Sequence, residues 1–261
     1  MMNQLSDPGP GLLPAPEALG RESRSWAAAL VEAAGADLRA LYLYGSALAP
    51  GFDPAKSDVN LLLVVQALDF DRLDALAHAA SKLKRPRPGS GGTRFTPIVL
   101  TEEQIRESAD VFPMDLLDLL RRRALLEGSD VIDGLTVAPG DLRRHSEYEL
   151  RTKLVGLRQG YIRAGAAPGA AHEFTLRAAG GAATLYRHLL ALAGRPEAPT
   201  SEALAEAVAR AFGVDAAGLA APFLARKEGA PPDEALARKR FAAFLDALDS
   251  LTHAVDGFAA R

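Results

Sequence analysis

Residues 41–65 read LYLYGSALAPGFDPAKSDVNLLLVV, and the fold turns on how that stretch divides. Leu41 to Tyr44 completes a short strand that begins at Ala40 and runs directly into Gly45-Ser46. Ser46 to Leu48 can open one helical turn before Pro50-Gly51 breaks it. Ten residues separate Ser46 from Ser57, and Ser57-Asp58-Val59-Asn60 then opens a second strand that continues to Gln66. Its Leu-Leu-Leu-Val-Val run is apolar on both faces, as in a sheet covered by helices. Asp58 and Asn60 are two apart on that strand, so they leave the same face.

Working outward, residues 1–20 hold four prolines and three glycines without an apolar period and read as a loose arm. Arg21 to Ala34 reads as a helix, with Trp26, Ala29, Leu30 and Ala33 on one stripe and Gly35 as its C-cap. After the second strand, Phe70 to Leu83 is an amphipathic helix with Asp69 at its start. Lys84 to Thr93, KRPRPGSGGT, is a basic loop. Arg94 to Leu100 is a third strand, and Pro97 suits it to an edge or a bulge. Thr101 and Gln104 have capping-box spacing at the start of the next helix. Met114 to Leu120 is a short helix, and Arg123 to Leu126 a last strand closed by Glu127-Gly128. From Asp141 the texture becomes all-helical, with a long helix to Arg163 and further helices expected at about 171–193 (softened by Gly180-Gly181), 200–212 and 232–257. The expected division is therefore 1–20, 21–137 and 138–261.

The order strand, Gly-Ser, ten residues, Asp-x-Asn, strand resembles the signature of the DNA polymerase β-like nucleotidyltransferase superfamily, whose second position is Asp or Glu. A helical domain after the catalytic one is similar to the arrangement of the aminoglycoside nucleotidyltransferases. Asp110 to Leu119, DVFPMDLLDL, resembles a block in bacterial proteins of the superfamily. The resemblance implies an α/β (α+β) nucleotidyltransferase-like mixed sheet with flanking helices, followed by an all-α helical bundle. It implies that Gly45, Ser46 and Ser57 hold the phosphates of a nucleoside triphosphate. It also implies that Asp58 is the first Mg²⁺ carboxylate, and the catalytic residue if the protein is active, with a third carboxylate from the strand over 94–100. Asn60 occupies the second metal position with a neutral amide, a weak Mg²⁺ ligand, and RFTPIVL contains no acid.

Apolar residues are 48% of the chain and charged residues 24%, a globular composition with enough apolar mass for real cores. Net charge is −3, which argues against a surface that coats nucleic acid. Without cysteine there are no disulfides, thiolate metal sites or thiol nucleophiles. No secretory signal and no run of about 18 apolar residues is evident, so a cytoplasmic protein off the membrane is expected.

Several charged groups have plainer accounts. Lys84, Arg85, Arg87 and Arg94 fit a solvated loop, and Asp69, Asp71 and Asp74 fit capping and dipole pairing. Arg144, Arg151 and Arg158, spaced by seven, fit a self-paired exposed face. His145 and His188 are read as solvated or packed side chains rather than acid–base groups. Three functions follow. The first is a catalytically degenerate protein that binds nucleotide or regulates. The second is an active Mg²⁺-dependent enzyme moving NMP from NTP to a small-molecule or protein hydroxyl. The third is an interaction module for a protein partner or a second copy of the chain.

Overall fold

The computed structural model describes residues 13, 21–48, 59–83, 95–229 and 233–259. One compact unit ends at Val137 and the other runs over Ala138–Arg261.

The first unit is built on strands β1 (Leu38–Tyr44), β2 (Val59–Val65), β3 (Phe95–Thr101) and β4 (Arg123–Gly128). They form one mixed sheet of order β3-β2-β1-β4 among the described residues, antiparallel except for the parallel pair β2–β3. Pro97 lies on β3, an edge strand, where a missing ladder donor is tolerated. Helices α1 (Arg21–Ala34) and α2 (Phe70–Ser81) flank the sheet. Trp26 and Leu30 of α1 join Leu76 of α2 against Leu41, Leu43, Leu61 and Leu63, every second residue of β1 and β2. Trp26 stacks on Phe95 with ring centroids 5.1 Å apart. Arg72 ties the two helices together: its guanidinium donates to the carbonyls of Ala33 and Ala34 at 3.2 Å, capping α1, and pairs with Asp37.

Local sequence explains where the elements begin. Asp69 accepts from Arg72 N–H at 2.8 Å as the N-cap of α2. Thr101 and Gln104 form both bonds of a capping box at the start of α3 (Glu102–Glu107). Pro113 occupies the first turn of α4 (Pro113–Arg121), where its missing N–H costs nothing. Leu13 donates its backbone N–H to the Arg123 carbonyl at 2.7 Å, which ties this point of the expected arm to β4.

The second unit contains α5 (Pro139–Arg163), α6 (Ala170–Leu192), α7 (Ser201–Phe212), α8 (Ala216–Glu228) and α9 (Glu234–Asp256). Tyr161, Phe174 and Phe241 join α5, α6 and α9, and Tyr186 of α6 meets Phe223 of α8 edge-to-face. Helix α8 is absent from the sequence reading. Gly218 and Pro222 lie inside it and look like breakers. Asp215 caps it by accepting from Ala217 and Gly218 N–H, and a Cβ on Gly218 would lie 2.5 Å from the Ala243 carbonyl oxygen of α9. The glycine is there for close helix approach.

Candidate functional site

The end of β1 sets the site. Gly45 adopts φ +75°, a left-handed conformation that L side chains rarely take, and turns the chain into a single 3₁₀ turn over Gly45–Leu48. Its N–H donates to the Arg122 carbonyl at 3.2 Å, so the first residue of the turn is pinned to the start of β4. Ser46 contributes backbone to this turn; its side chain lies outside what is described. Ser57 and Asp58 also lie outside the described residues, as do Lys84, Arg85, Arg87 and Arg94.

The register brings the expected metal positions level. Tyr44 pairs with Asn60 across β1–β2, and Asn60 pairs with Thr96 across β2–β3. Asn60 is half-buried, and its Nδ2 lies 3.3 Å from where a Cβ on Gly45 would stand. Asn60, expected at the second metal position, therefore sits beside the Gly45 turn with an amide. Thr96 stands level with it on β3, so neither described position supplies a carboxylate. Among the described residues, no three His, Asp or Glu side chains gather as a metal site. Positions 60 and 96 therefore bring no carboxylate to the two-metal centre that the resemblance implies.

Negative charge reaches Tyr44, the residue before the turn, from α4. Burial pushes the Tyr44 phenol up to about 12, and the carboxylates of Asp115 and Asp118 on α4 add to the rise. These two acids are three residues apart, one helical turn, and so share a face. The sequence reading missed them as site residues; their spacing within the 110–119 block was the available signal.

At the start of β4 an ionic network forms around a buried arginine. Arg123, 4% exposed, donates to Asp130 at 2.7 Å, and Tyr42 donates to the same carboxylate at 2.8 Å while accepting Val131 N–H at 2.7 Å. Burial would raise the Asp130 carboxyl, but the bonds from Arg123 and Tyr42 and the guanidinium charge outweigh it and hold it below its ordinary value.

Other candidates have structural partners. Asp69 caps α2, and Asp74 lies 3.3 Å from His78. Arg144 pairs with Asp141, Arg151 with Glu147 at 2.7 Å, and Arg158 with Asp249 at 3.6 Å, so the basic stripe is neutralised along its length. His188 is buried inside α6, and His145 is half-buried against Tyr148.

A mixed sheet flanked by helices, followed by a helical C-terminal region, is a nucleotidyltransferase-like fold. Among solved structures the chain is similar to the spectinomycin adenyltransferase AAD(9) from Enterococcus faecialis, crystallised with ATP and spectinomycin. The TM-score is 0.58 over 90% of this chain and 98% of that one, and at 14% identity the likeness is one of fold. No protein-family profile matches this chain, and no curated protein does. Among the described residues no helix is long and apolar enough to cross a membrane.

Proposed function

We propose that this protein binds a nucleoside triphosphate at the Gly45-Ser46 turn and acts by binding or regulation, with NMP transfer weak or lost. The observation that carries this reading is Asn60 against the turn, with Thr96 level on the next strand. Gly45 N–H is taken by the Arg122 carbonyl, but the amides that follow it at the start of the turn have no partner within it and suit phosphate oxygens. An aspartate at 60 would set a second negative charge beside the phosphates and call for Mg²⁺ to bridge them. The asparagine amide adds no charge, and its nitrogen is itself a donor to phosphate. Residues 21–137 would hold the nucleotide, with Ser46 and Ser57 completing the phosphate contacts, and 138–261 would form a separate helical domain. Mg²⁺ would be a minor ligand at Asp58, and the setting would be cytoplasmic.

Calorimetry with ATP, GTP, CTP and UTP, each with and without Mg²⁺, tests this on the wild type, Ser46→Ala and Asn60→Asp. Wild-type binding should be nearly indifferent to Mg²⁺, fall in Ser46→Ala and become Mg²⁺-dependent in Asn60→Asp. Wild-type binding that requires Mg²⁺ would overturn the reading. No heat with any nucleotide would also overturn it, and would leave a protein partner or a second copy of the chain as the ligand to seek.

One observation favours an active enzyme as the second reading: Asp115 and Asp118 bring acid near Tyr44, immediately before the turn. In that case Asp58 would be the chief Mg²⁺ ligand, and the carboxylates lost from β2 and β3 would be replaced from α4. The neighbour's ATP and spectinomycin make ATP and a small-molecule hydroxyl the first pair to try. Pyrophosphate release that disappears in Asp58→Asn and in Asp115→Asn/Asp118→Asn would establish it.

A further inference from the structure

We infer that the helical unit carries a second ligand site, a small pocket at the break in α6 that takes a monoanionic organic acid with a compact apolar body. The site lies wholly within residues 138–261 and is independent of the nucleotide reading.

The break makes the pocket. Gly180 (φ −66°, ψ 123°) and Gly181 (φ 74°, ψ −12°) leave helical geometry in the middle of α6. Gly156 of α5 borders the same space. A Cβ built on Gly156 or Gly180 meets nothing within 4 Å, whereas one on Gly160 would strike the Phe174 ring at 2.6 Å. Gly160 is needed for packing; Gly156 and Gly180 instead leave a space open. That space has a volume of about 240 Å³. Drug-sized sites run to roughly 300–1,000 Å³, so this one suits a single ring or a short branched chain.

Its floor is apolar. Leu185, Tyr186, Phe244 and Leu248 are all buried, and Leu157 closes one side. The Tyr186 hydroxyl is turned away and donates to the Leu219 carbonyl at 3.2 Å, so the ring offers its carbon face. Among the described residues that line the pocket, the charged ones are both cations, Lys153 from α5 and Arg177 from α6. Their carboxylate partners hold them loosely: Glu149 is 4.0 Å from Lys153 and Glu173 is 3.4 Å from Arg177, and neither acid lines the pocket. Lys153 Nζ is 3.6 Å from the Cβ position of Gly181, at the break itself. A carboxylate placed there has Lys153 at hand and Arg177 in the same lining, both with acids at 3.4 Å or more, while its body replaces water over apolar side chains. A neutral or cationic ligand gains only the apolar part.

The test uses the full chain and 4-phenylbutyrate as probe, with neutral 4-phenylbutan-1-ol as control, in calorimetry and in displacement of the fluorescent aromatic sulfonate ANS. The acid should bind saturably, about tenfold or more tighter than the alcohol, as expected when charge-assisted bonds are added. Lys153→Gln/Arg177→Gln should remove that preference, and Gly156→Leu should abolish binding by filling the pocket. Gly156→Leu replaces a helix-weakening residue at an open position, so its melting temperature should match or exceed the wild type and exclude unfolding as the cause. ATP should not compete, which separates this site from the nucleotide turn. Equal binding of acid and alcohol, no binding of the acid, or undiminished binding in Gly156→Leu would each overturn the inference.

Discussion

Replacing Asp130 by alanine should destabilise the first unit by about 3 kcal/mol, because it strands a buried guanidinium. The Arg123 side chain is 5% exposed and has Asp130 as its close acid, with Nη2 to Oδ2 at 2.7 Å and Nε to both oxygens at 3.3 Å. Its remaining help is a 3.3 Å bond from Nη1 to the Leu120 carbonyl and the exposed Asp133 at 3.7 Å. Breaking a buried pair by removing one partner costs about 3–5 kcal/mol, and Asp133 swinging inward argues for the lower end. Arg123→Met removes the buried charge and leaves Asp130, which is partly solvated, so it should cost less, about 1–2 kcal/mol. Trp26, the single tryptophan of the chain, is buried in this unit, so its fluorescence in a urea titration follows the first unit alone. With m near 2 kcal/mol per molar, the Asp130→Ala midpoint should fall by about 1.5 M. The pH dependence has a definite sign. The Asp130 carboxyl is held below its unfolded value, so its contribution is complete above about pH 4 and disappears as pH falls through the folded value. The penalty of Asp130→Ala should therefore shrink below pH 4. A penalty under about 0.5 kcal/mol at pH 7, or a larger one for Arg123→Met, would refute the reasoning.

Three glycines of the helical unit should respond to alanine in different directions. Gly218→Ala meets the Ala243 backbone oxygen at 2.5 Å and must part α8 from α9, so a loss of about 2–3 kcal/mol is expected. Gly160→Ala meets the Phe174 ring first, a side chain rather than backbone, and should cost less; Gly156→Ala meets nothing within 4 Å and should gain up to about 1 kcal/mol in thermal denaturation. Gly45→Ala forces a left-handed conformation and presses on Asn60, so nucleotide binding should fall in calorimetry with a stability loss of about 1–2 kcal/mol. Thr101→Ala removes the acceptor for Gln104 N–H and should cost about 1 kcal/mol, read from the same Trp26 titration.

Much of this molecule is legible one residue at a time. Asp69, Thr101, Gln104 and Pro113 act on neighbours three or four positions away, so their roles follow from spacing alone. Leu61 to Val65 announced a strand covered on both faces, and Pro97 an edge or a bulge, of which the sheet order shows the edge; both come from the backbone's own needs for burial and donors. The absence of acid at 60 and on β3 is likewise a matter of residue identity. Helix α8 was illegible because Gly218 and Pro222 are breakers by local rule, and only the close approach of α9 explains a glycine there.

Sequence alone thus determined the strand–turn–strand frame, the change of texture between a mixed α/β region and helices, and the neutral residue at position 60, since periodicity, capping and residue type act over a few positions. Tertiary structure decided what those residues meet. It set Asn60 level with Thr96 and against Gly45, brought Asp115 and Asp118 near Tyr44, buried Arg123 on Asp130, and opened a pocket beside Gly156 and Gly180. Each of these depends on strand register or helix packing between segments distant in the chain, and no local rule carries that information.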